Sequence, residues 1–489
     1  MFFCCANTIN SKLLLPKAYF VCNKCRILRG FSIFVPEINI ITMLKVKKLN
    51  DSVAIRWGAL IIIALTMMAA YYVNDVMAPL KEMLEGALHW DSTEFGIFTG
   101  AYSFLNVFLL MLIWGGLILD RFGSRFTGKL ATILMVGGTA IEYYALNYMG
   151  DSTGTILGYK SSVMVASAGY SIFGVGAEVA GITVTKIIAK WFKDKEVATA
   201  MGVQVALARL GSQAAYSVAI PVAKSFGLTM PLFIGLVVLC IGLIAFFIFS
   251  VLDKKLDAQT IYSENLAEEE KFSFKDVKSI LTNQGFWLIA LLCVLFYSCV
   301  FPFQKFATEL MTTKYGIDSD LAGTIAGLPA LGALLLTPVF GGLVDKTGKA
   351  ATIMITGALM LIVVHFVYAL PFIEAGIVAI ILMIILGVAF SLVPSAMWPS
   401  VAKIFPQHQL GTAYALIFFI QNIGLWGVPV LIGAVLDNYC KTGIAGAEYD
   451  YTLPMCIFTG IAVLSLIVAL MLKVVDKKKG YGLDRSDKH

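Results

Sequence analysis

A chain of 489 residues that is 59% hydrophobic and 14% charged has too few charges for a water-soluble domain, in which about a quarter of residues are charged. With a mean hydropathy of +0.84 it is a polytopic membrane protein; its long unbroken apolar runs exclude a transmembrane β-barrel, whose strands are short and alternate polar with apolar. The net charge of +6 does not imply nucleic acid, because the basic residues fall in alternate loops, as they do on the cytoplasmic side of membrane proteins.

Residues 1–42 contain Cys4, Cys5, Cys22 and Cys25 but no run long enough to span a bilayer and no cleavage region. Cys22 and Cys25 have metal or redox spacing, yet no second pair or histidine lies nearby, so the spacing reads as incidental. Met43-Leu-Lys-Val-Lys-Lys reads as a natural amino terminus, which makes 1–42 a disordered extension or the product of an upstream start site. Beyond it, charge-free runs at 57–73, 230–252, 375–402, 410–436 and 455–472 suffice to cross a hydrocarbon core of about 30 Å. Less pure runs at 95–119, 130–149, 162–188, 197–223, 286–311, 321–344 and 351–372 bring the expectation to twelve helices. Basic residues collect on one side, from Lys45 to Arg56, Arg121 to Lys129, Lys190 to Lys195, at Lys254 and Lys255, at Lys346 and Lys349, and from Lys477 to Lys479. Both termini are therefore expected in the cytoplasm, which requires an even helix count. The polar stretch after the sixth helix reads as a linker with a short interfacial helix. The expected organisation is a six-helix bundle over 43–252, a cytoplasmic linker over 253–285, a second bundle over 286–474 and a tail over 475–489.

Glu178 and Arg209 lie deep inside the fourth and fifth predicted helices. A charge at mid-helix costs about 2.5–3.5 kcal/mol on insertion scales, so such residues face a wet cavity, pair with each other or bind a ligand of opposite charge. A carboxylate and a guanidinium on neighbouring helices suit a zwitterion such as an amino acid or peptide; a permanent internal salt bridge is the alternative. Ser212, Gln213 and Tyr216 follow Arg209 at helical spacing and make one face polar, favouring a cavity over a helix–helix seam. Lys305, after Phe301-Pro-Phe303, either lines the cavity from the second half or snorkels to the outer surface. Glu142 carries a proton or faces the outer interface beside Tyr143 and Tyr144. Tyr71, Tyr72 and Asn74 suit an outer vestibule, with Asp75 an interfacial loop charge. Trp398 and Asn422 are candidate second-half contacts, although a tryptophan before proline is as often packing. His365 reads as a structural histidine.

The halves repeat each other. Gly116-Leu-Ile-Leu-Asp120-Arg121-Phe-Gly123 corresponds to Gly341-Gly-Leu-Val-Asp345-Lys346-Thr-Gly348, and Ala189-Lys-Trp-Phe-Lys-Asp-Lys-Glu-Val-Ala-Thr199 to Ala402-Lys-Ile-Phe-Pro-Gln-His-Gln-Leu-Gly-Thr412. Repeated six-helix halves with a site between them mark an alternating-access transporter. The two loops resemble those of the major facilitator superfamily. That resemblance implies an all-α fold of twelve transmembrane helices in two pseudo-symmetric bundles, with Asp120, Arg121, Asp345 and Lys346 as gating residues.

Trp191-Phe-Lys-Asp-Lys-Glu196, Ala208-Arg-Leu-Gly-Ser212, Trp398-Pro, His408-Gln-Leu-Gly-Thr-Ala-Tyr414 and Gln421-Asn-Ile-Gly424 resemble a narrower branch, the lysosomal dipeptide uniporters of the same superfamily. This resemblance implies that Glu178 meets a peptide ammonium and Arg209 its terminal carboxylate, by uniport. The leader's Leu13-Leu-Leu15 lacks the acidic residue of a lysosomal sorting signal, and the short loops offer no platform for the branch's glycosylated accessory partner. A monomeric prokaryotic relative in a plasma (inner) membrane is expected instead. The sequence shows no phosphate-binding loop, metal cluster or nucleophile–base set, so it implies no enzyme, cofactor or metal, and a gradient must drive transport. The rival readings are a proton-coupled symporter or an exchanger of organic or inorganic anions at Arg209, and, more remotely, a non-transporting sensor.

Overall fold

The computed structural model describes residues 48–150, 154–193, 195–260, 274–406, 409–444 and 447–484; the leader, with its cysteines, lies outside them. Fourteen helices follow in order: α1 (Val53–Val76), α2 (Lys81–Leu88), α3 (Ser92–Phe108), α4 (Met111–Tyr148), α5 (Ser161–Trp191), α6 (Val197–Phe226), α7 (Met230–Thr260), α8 (Phe274–Leu281), α9 (Gln284–Thr313), α10 (Ser319–Thr347), α11 (Ala350–Ala369), α12 (Gly376–Ile404), α13 (Leu410–Tyr439) and α14 (Thr452–Lys479). Local chemistry sets their ends. Asp91 caps α3 by accepting from the Glu94 N–H while the Glu94 carboxylate accepts from the Asp91 N–H, so two orphan donors are satisfied reciprocally. Asn283 and Asp318 cap α9 and α10. Gly348 and Gly480, both with positive φ, end α10 and α14 in the left-handed turn that glycine adopts without strain.

Among the described residues, nine helices are each long and apolar enough to cross a membrane. The pair α3 and α4, bent by 58°, supplies two more crossings, because Gly123 (φ 77°, ψ 169°) breaks α4 in two. Gly123 closes the first repeated loop motif, and its positive φ is one that glycine adopts without steric cost. The twelfth crossing is α6, whose apolar character is diluted by Arg209 and its polar neighbours. The second crossing is not the single straight run expected over 95–119. It breaks at Leu110, a non-glycine residue with φ of 54°, and the bend lets α3 lean on α13 while α4 packs on α5. The interfacial helix expected in the linker is α8, and α7 continues past residue 252 to Thr260.

The packing repeats with the sequence. In the first half α4 packs on α5 and α7, α1 on α6 and α7, and α3 on α5; in the second, α11 packs on α12 and α14, α9 on α13 and α14, and α10 on α12. Each of these contacts has its counterpart in the other bundle under one mapping: α1 to α9, α3 to α10, α4 to α11, α5 to α12, α6 to α13 and α7 to α14. Two seams join the halves, α3 against α13 and α6 against α10, and that mapping exchanges them.

Both seams are tight at one end of the molecule. We call the end carrying Arg121, Lys190, Lys254 and Lys346 the basic end, and the other the acidic end. At the acidic end of the first seam, a methyl group on Gly433 would fall 2.2 Å from the Ser92 carbonyl oxygen, and one on Gly96 2.4 Å from that of Pro429. In the second seam Gly323 and Gly327 of α10 lie against Tyr216 and Gln213, whereas Gly341 and Gly342, toward the basic end of the same helix, face open space. The halves are thus closed on each other at the acidic end, and no such close glycine contact joins them at Gly341 or Gly342. Gly433→Val is expected to leave each bundle folded but prop this seam open: a cysteine at Thr93 should be labelled faster from the acidic end than in the parent. Unchanged labelling would mean that the seam does not limit closure.

Candidate functional site

Close helix packing places both intramembrane charges. Gly174 of α5 sits where a side chain would strike the Tyr102 carbonyl at 2.1 Å, so α5 approaches α3 until the Tyr102 hydroxyl donates to Glu178 Oε1 at 3.0 Å. Gly211 of α6 lies as tightly on the Met68 carbonyl of α1, and the preceding turn carries Arg209 to Tyr71. Both charged side chains are half-buried. Glu178 on α5 is thus held by Tyr102 and Arg209 on α6 by Tyr71, and α5 and α6 are in contact.

Glu178 and Arg209 do not form an ion pair with each other, so the internal salt bridge is not what holds them. The Arg209 guanidinium carbon lies 4.8 Å from the centre of the Phe390 ring, 5.4 Å from that of Tyr71 and 5.9 Å from that of Phe301. Tyr71 belongs to the first half, and Phe301 (α9) and Phe390 (α12) to the second, so the cation stands between the bundles and not against lipid. Behind these rings, Phe301 stacks on Tyr297 at 5.5 Å, and the Trp398 indole N–H donates to the Tyr297 hydroxyl at 3.2 Å. The first half therefore brings the charges and the second an aromatic wall, in which half-buried Trp398 is also stacked on Phe418.

The other candidates divide. Gln213 and Tyr216 lie in the seam between the halves, not on the cavity face expected: Gln213 Nε2 donates to Ser217 and to the Thr324 carbonyl, and the Tyr216 hydroxyl donates to the Gln304 carbonyl at 3.1 Å. The seam wins because the Gln213 amide nitrogen and the Tyr216 hydroxyl each find a backbone carbonyl across it. Ser212 is buried beside them. Asn422 is 1% exposed and bonds back to the Phe418 carbonyl of its own helix, so it is not placed as a second-half contact. Lys305 neither snorkels nor lines the site alone: it is buried and donates to Asp75 Oδ1 at 2.8 Å and to the Asn74 carbonyl at 2.7 Å. Asp75 is correspondingly a buried partner across the halves and not an interfacial loop charge. The Glu142 carboxylate is fully buried, with neither oxygen hydrogen-bonded among the described residues. It does not face the interface, although Tyr144 does. His365 is structural, its Nε2 lying 3.0 Å from the Cys299 carbonyl.

The gating candidates lie at the basic end. Asp120 pairs with Lys186 of its own half at 3.3 Å; Arg121, Asp345 and Lys346 are exposed, and no ion pair among the described residues joins Asp345 or Lys346 to the other half. Nearby, Asp253 accepts from Lys190 and from the Trp191 indole, which fastens α7 to α5.

The closed gate at the acidic end went unread in the sequence. Lys81 of α2, 1% exposed, bridges Glu85 and Glu309 at 2.6 Å each, under the Tyr449 ring. Glu309 also accepts from the Tyr451 hydroxyl. Thr312 donates to Glu82, Thr93 to Asp437 and Lys224 to Asp320 across the same end. Glu309 lies inside the predicted span 286–311, so the insertion-cost reasoning that singled out Glu178 applied to it as well.

The family model for the Major Facilitator Superfamily matches residues 59–429. The chain is similar to the lysosomal dipeptide transporter MFSD1 of Homo sapiens, 28% identical over 428 residues and covering 85% of each chain. It is also similar to MFSD1 of Gallus gallus, 31% identical over 330 residues, 65% of this chain and 71% of that one. Among solved structures, the nucleoside transporter NupG superposes with a TM-score of 0.66 at 14% identity, over 85% of this chain and 99% of that one. A bacterial homologue of the human lysosomal transporter Spinster, inward-facing and occupied, gives 0.58 at 13% identity, over 86% and 96%.

Proposed function

Because the chain belongs to the major facilitator superfamily, and is a multi-pass membrane transporter and not an enzyme, we propose that its cargo is a small zwitterionic peptide, most simply a dipeptide. Rocker-switch alternating access between the bundles, without a coupled ion, would carry it. The observation that carries this reading is Arg209, which stands between the halves with no ion pair among the described residues, while Glu178 lies on α5, a helix in contact with α6. An arginine fork grips a carboxylate in two parallel bonds, and a carboxylate that keeps a single Tyr102 hydrogen bond has acceptor capacity left for an ammonium. The similarity over most of this chain to lysosomal dipeptide transporters supports the same substrate class.

The positive-inside pattern sets the orientation: the basic end and both termini face the cytoplasm, and the closed acidic end faces outward. Asp120, Arg121, Asp345 and Lys346 then form the cytoplasmic gate, which pairs only when that end closes. The carrier acts as a monomer in a plasma (inner) membrane; the relatives are named for the lysosome.

The test is uptake into proteoliposomes. Saturable dipeptide uptake and counterflow are expected, with no uphill accumulation when a pH gradient is imposed. Accumulation driven by the gradient would replace uniport with proton coupling, for which Glu142 is the site. Uptake of simple organic or inorganic anions without dipeptides would replace the substrate class and leave Arg209 as an anion site.

A further inference from the structure

Arginine is caged here by rings and not by a carboxylate, and the difference matters chemically. A cation over an aromatic face is attracted by the ring quadrupole, and that contact consumes none of the five guanidinium N–H donors, which lie in the plane. A carboxylate partner would have occupied two of them. Two of the three rings, Phe301 and Phe390, belong to the half opposite Arg209, and they brace each other edge-to-face at 5.3 Å. Their hold therefore exists only while the bundles are closed around this level.

We infer that Phe390, supported by Phe301, is a positioning residue for the ligand's carboxylate: it holds the Arg209 guanidinium from the moving half without occupying its N–H donors with a carboxylate. This rests on the reading of Arg209 given above and adds a consequence. Affinity for the carboxylate is set by the second half, which carries no charge to this point, so rocking that half away loosens Arg209 and releases the ligand without any ionic partner having to break. Conformational change and affinity are thereby coupled through two rings.

The experiment is dipeptide counterflow with Ala-Ala and binding of its carboxamide, measured on the reconstituted full chain. Phe390→Leu is expected to raise KM for Ala-Ala about 5- to 30-fold, the range that a desolvated cation–π contact spans, with the maximal rate retained. Phe390→Tyr should restore the parent KM, and the carboxamide should bind parent and Phe390→Leu equally. Phe303→Leu, which removes a ring of α9 packed on His365 and Phe458, should leave KM unchanged. A KM in Phe390→Leu no higher than in Phe303→Leu, or a rise that tyrosine does not reverse, overturns the inference. Where Phe390→Leu fails to fold, Phe301→Leu is read by the same criteria. Arg209→Ala separates the two levels: if it transports Ala-Ala normally, the substrate reading fails; if it does not and Phe390→Leu is normal, only the positioning role fails.

Discussion

Arg209→Ala is expected to abolish dipeptide uptake without unfolding the protein, and Glu178→Gln to do the same. Arg209 holds no carboxylate in this structure, so its removal strands no partner charge and costs only the cation–π contacts, about 0.5–2 kcal/mol. A bound ligand, by contrast, loses the partner of a desolvated carboxylate, a loss of about 3–5 kcal/mol, or two to nearly four orders of magnitude in affinity. In Glu178→Gln the amide oxygen still accepts from Tyr102, so α3 and α5 stay docked while the ammonium loses its counter-charge. Uptake by proteoliposomes, beside thermal unfolding in detergent, reads both effects. Undiminished uptake in either variant would remove that residue from direct binding.

Lys81→Met is expected to trap the carrier open at the acidic end. Lys81 is buried against Glu85 and Glu309, and it reaches from α2 of the first half to α9 of the second. Without it two buried carboxylates share a dry site with no cation, a penalty of about 3–5 kcal/mol that falls on the closed state alone, because opening hydrates both. The gate equilibrium should shift toward opening by two orders of magnitude or more, and transport should stop because the cycle cannot close. Cysteine labelling from the acidic end should rise steeply in Lys81→Met. Adding Glu85→Gln and Glu309→Gln, which deletes the stranded charges, should recover part of the closure. Equal labelling in the parent and Lys81→Met would show that this network does not hold the gate.

The fold was legible because membrane insertion leaves few options. Apolar run length and the alternation of basic loops fixed the crossings, and the doubled Asp-Arg/Lys loops revealed the internal symmetry that the packing repeats. The site was legible only where the cost of insertion isolated a residue, at Glu178 and Arg209. Polar residues at helical spacing were ambiguous: Gln213 and Tyr216 show the same pattern in a seam as they would in a cavity, and sequence spacing does not say which neighbouring helix faces them. Lys305 and Asp75, and Lys81 and Glu309, find each other across roughly 230 residues of chain. No local rule couples such positions, so the closed gate emerged only with tertiary structure. The aromatic cage was hidden for the same reason, since Phe301 and Phe390 look like any lipid-facing or core phenylalanine until Arg209 is placed beside them.

Calorimetry with end-blocked dipeptides interrogates the shared site of Glu178 and Arg209 most directly. Acetylating the amino end or amidating the carboxyl end should each weaken binding to the parent protein by two orders of magnitude or more. Arg209→Ala should be indifferent to amidation, and Glu178→Gln to acetylation. Parent protein that binds free and doubly blocked dipeptides equally well would mean that neither charge reads a peptide terminus.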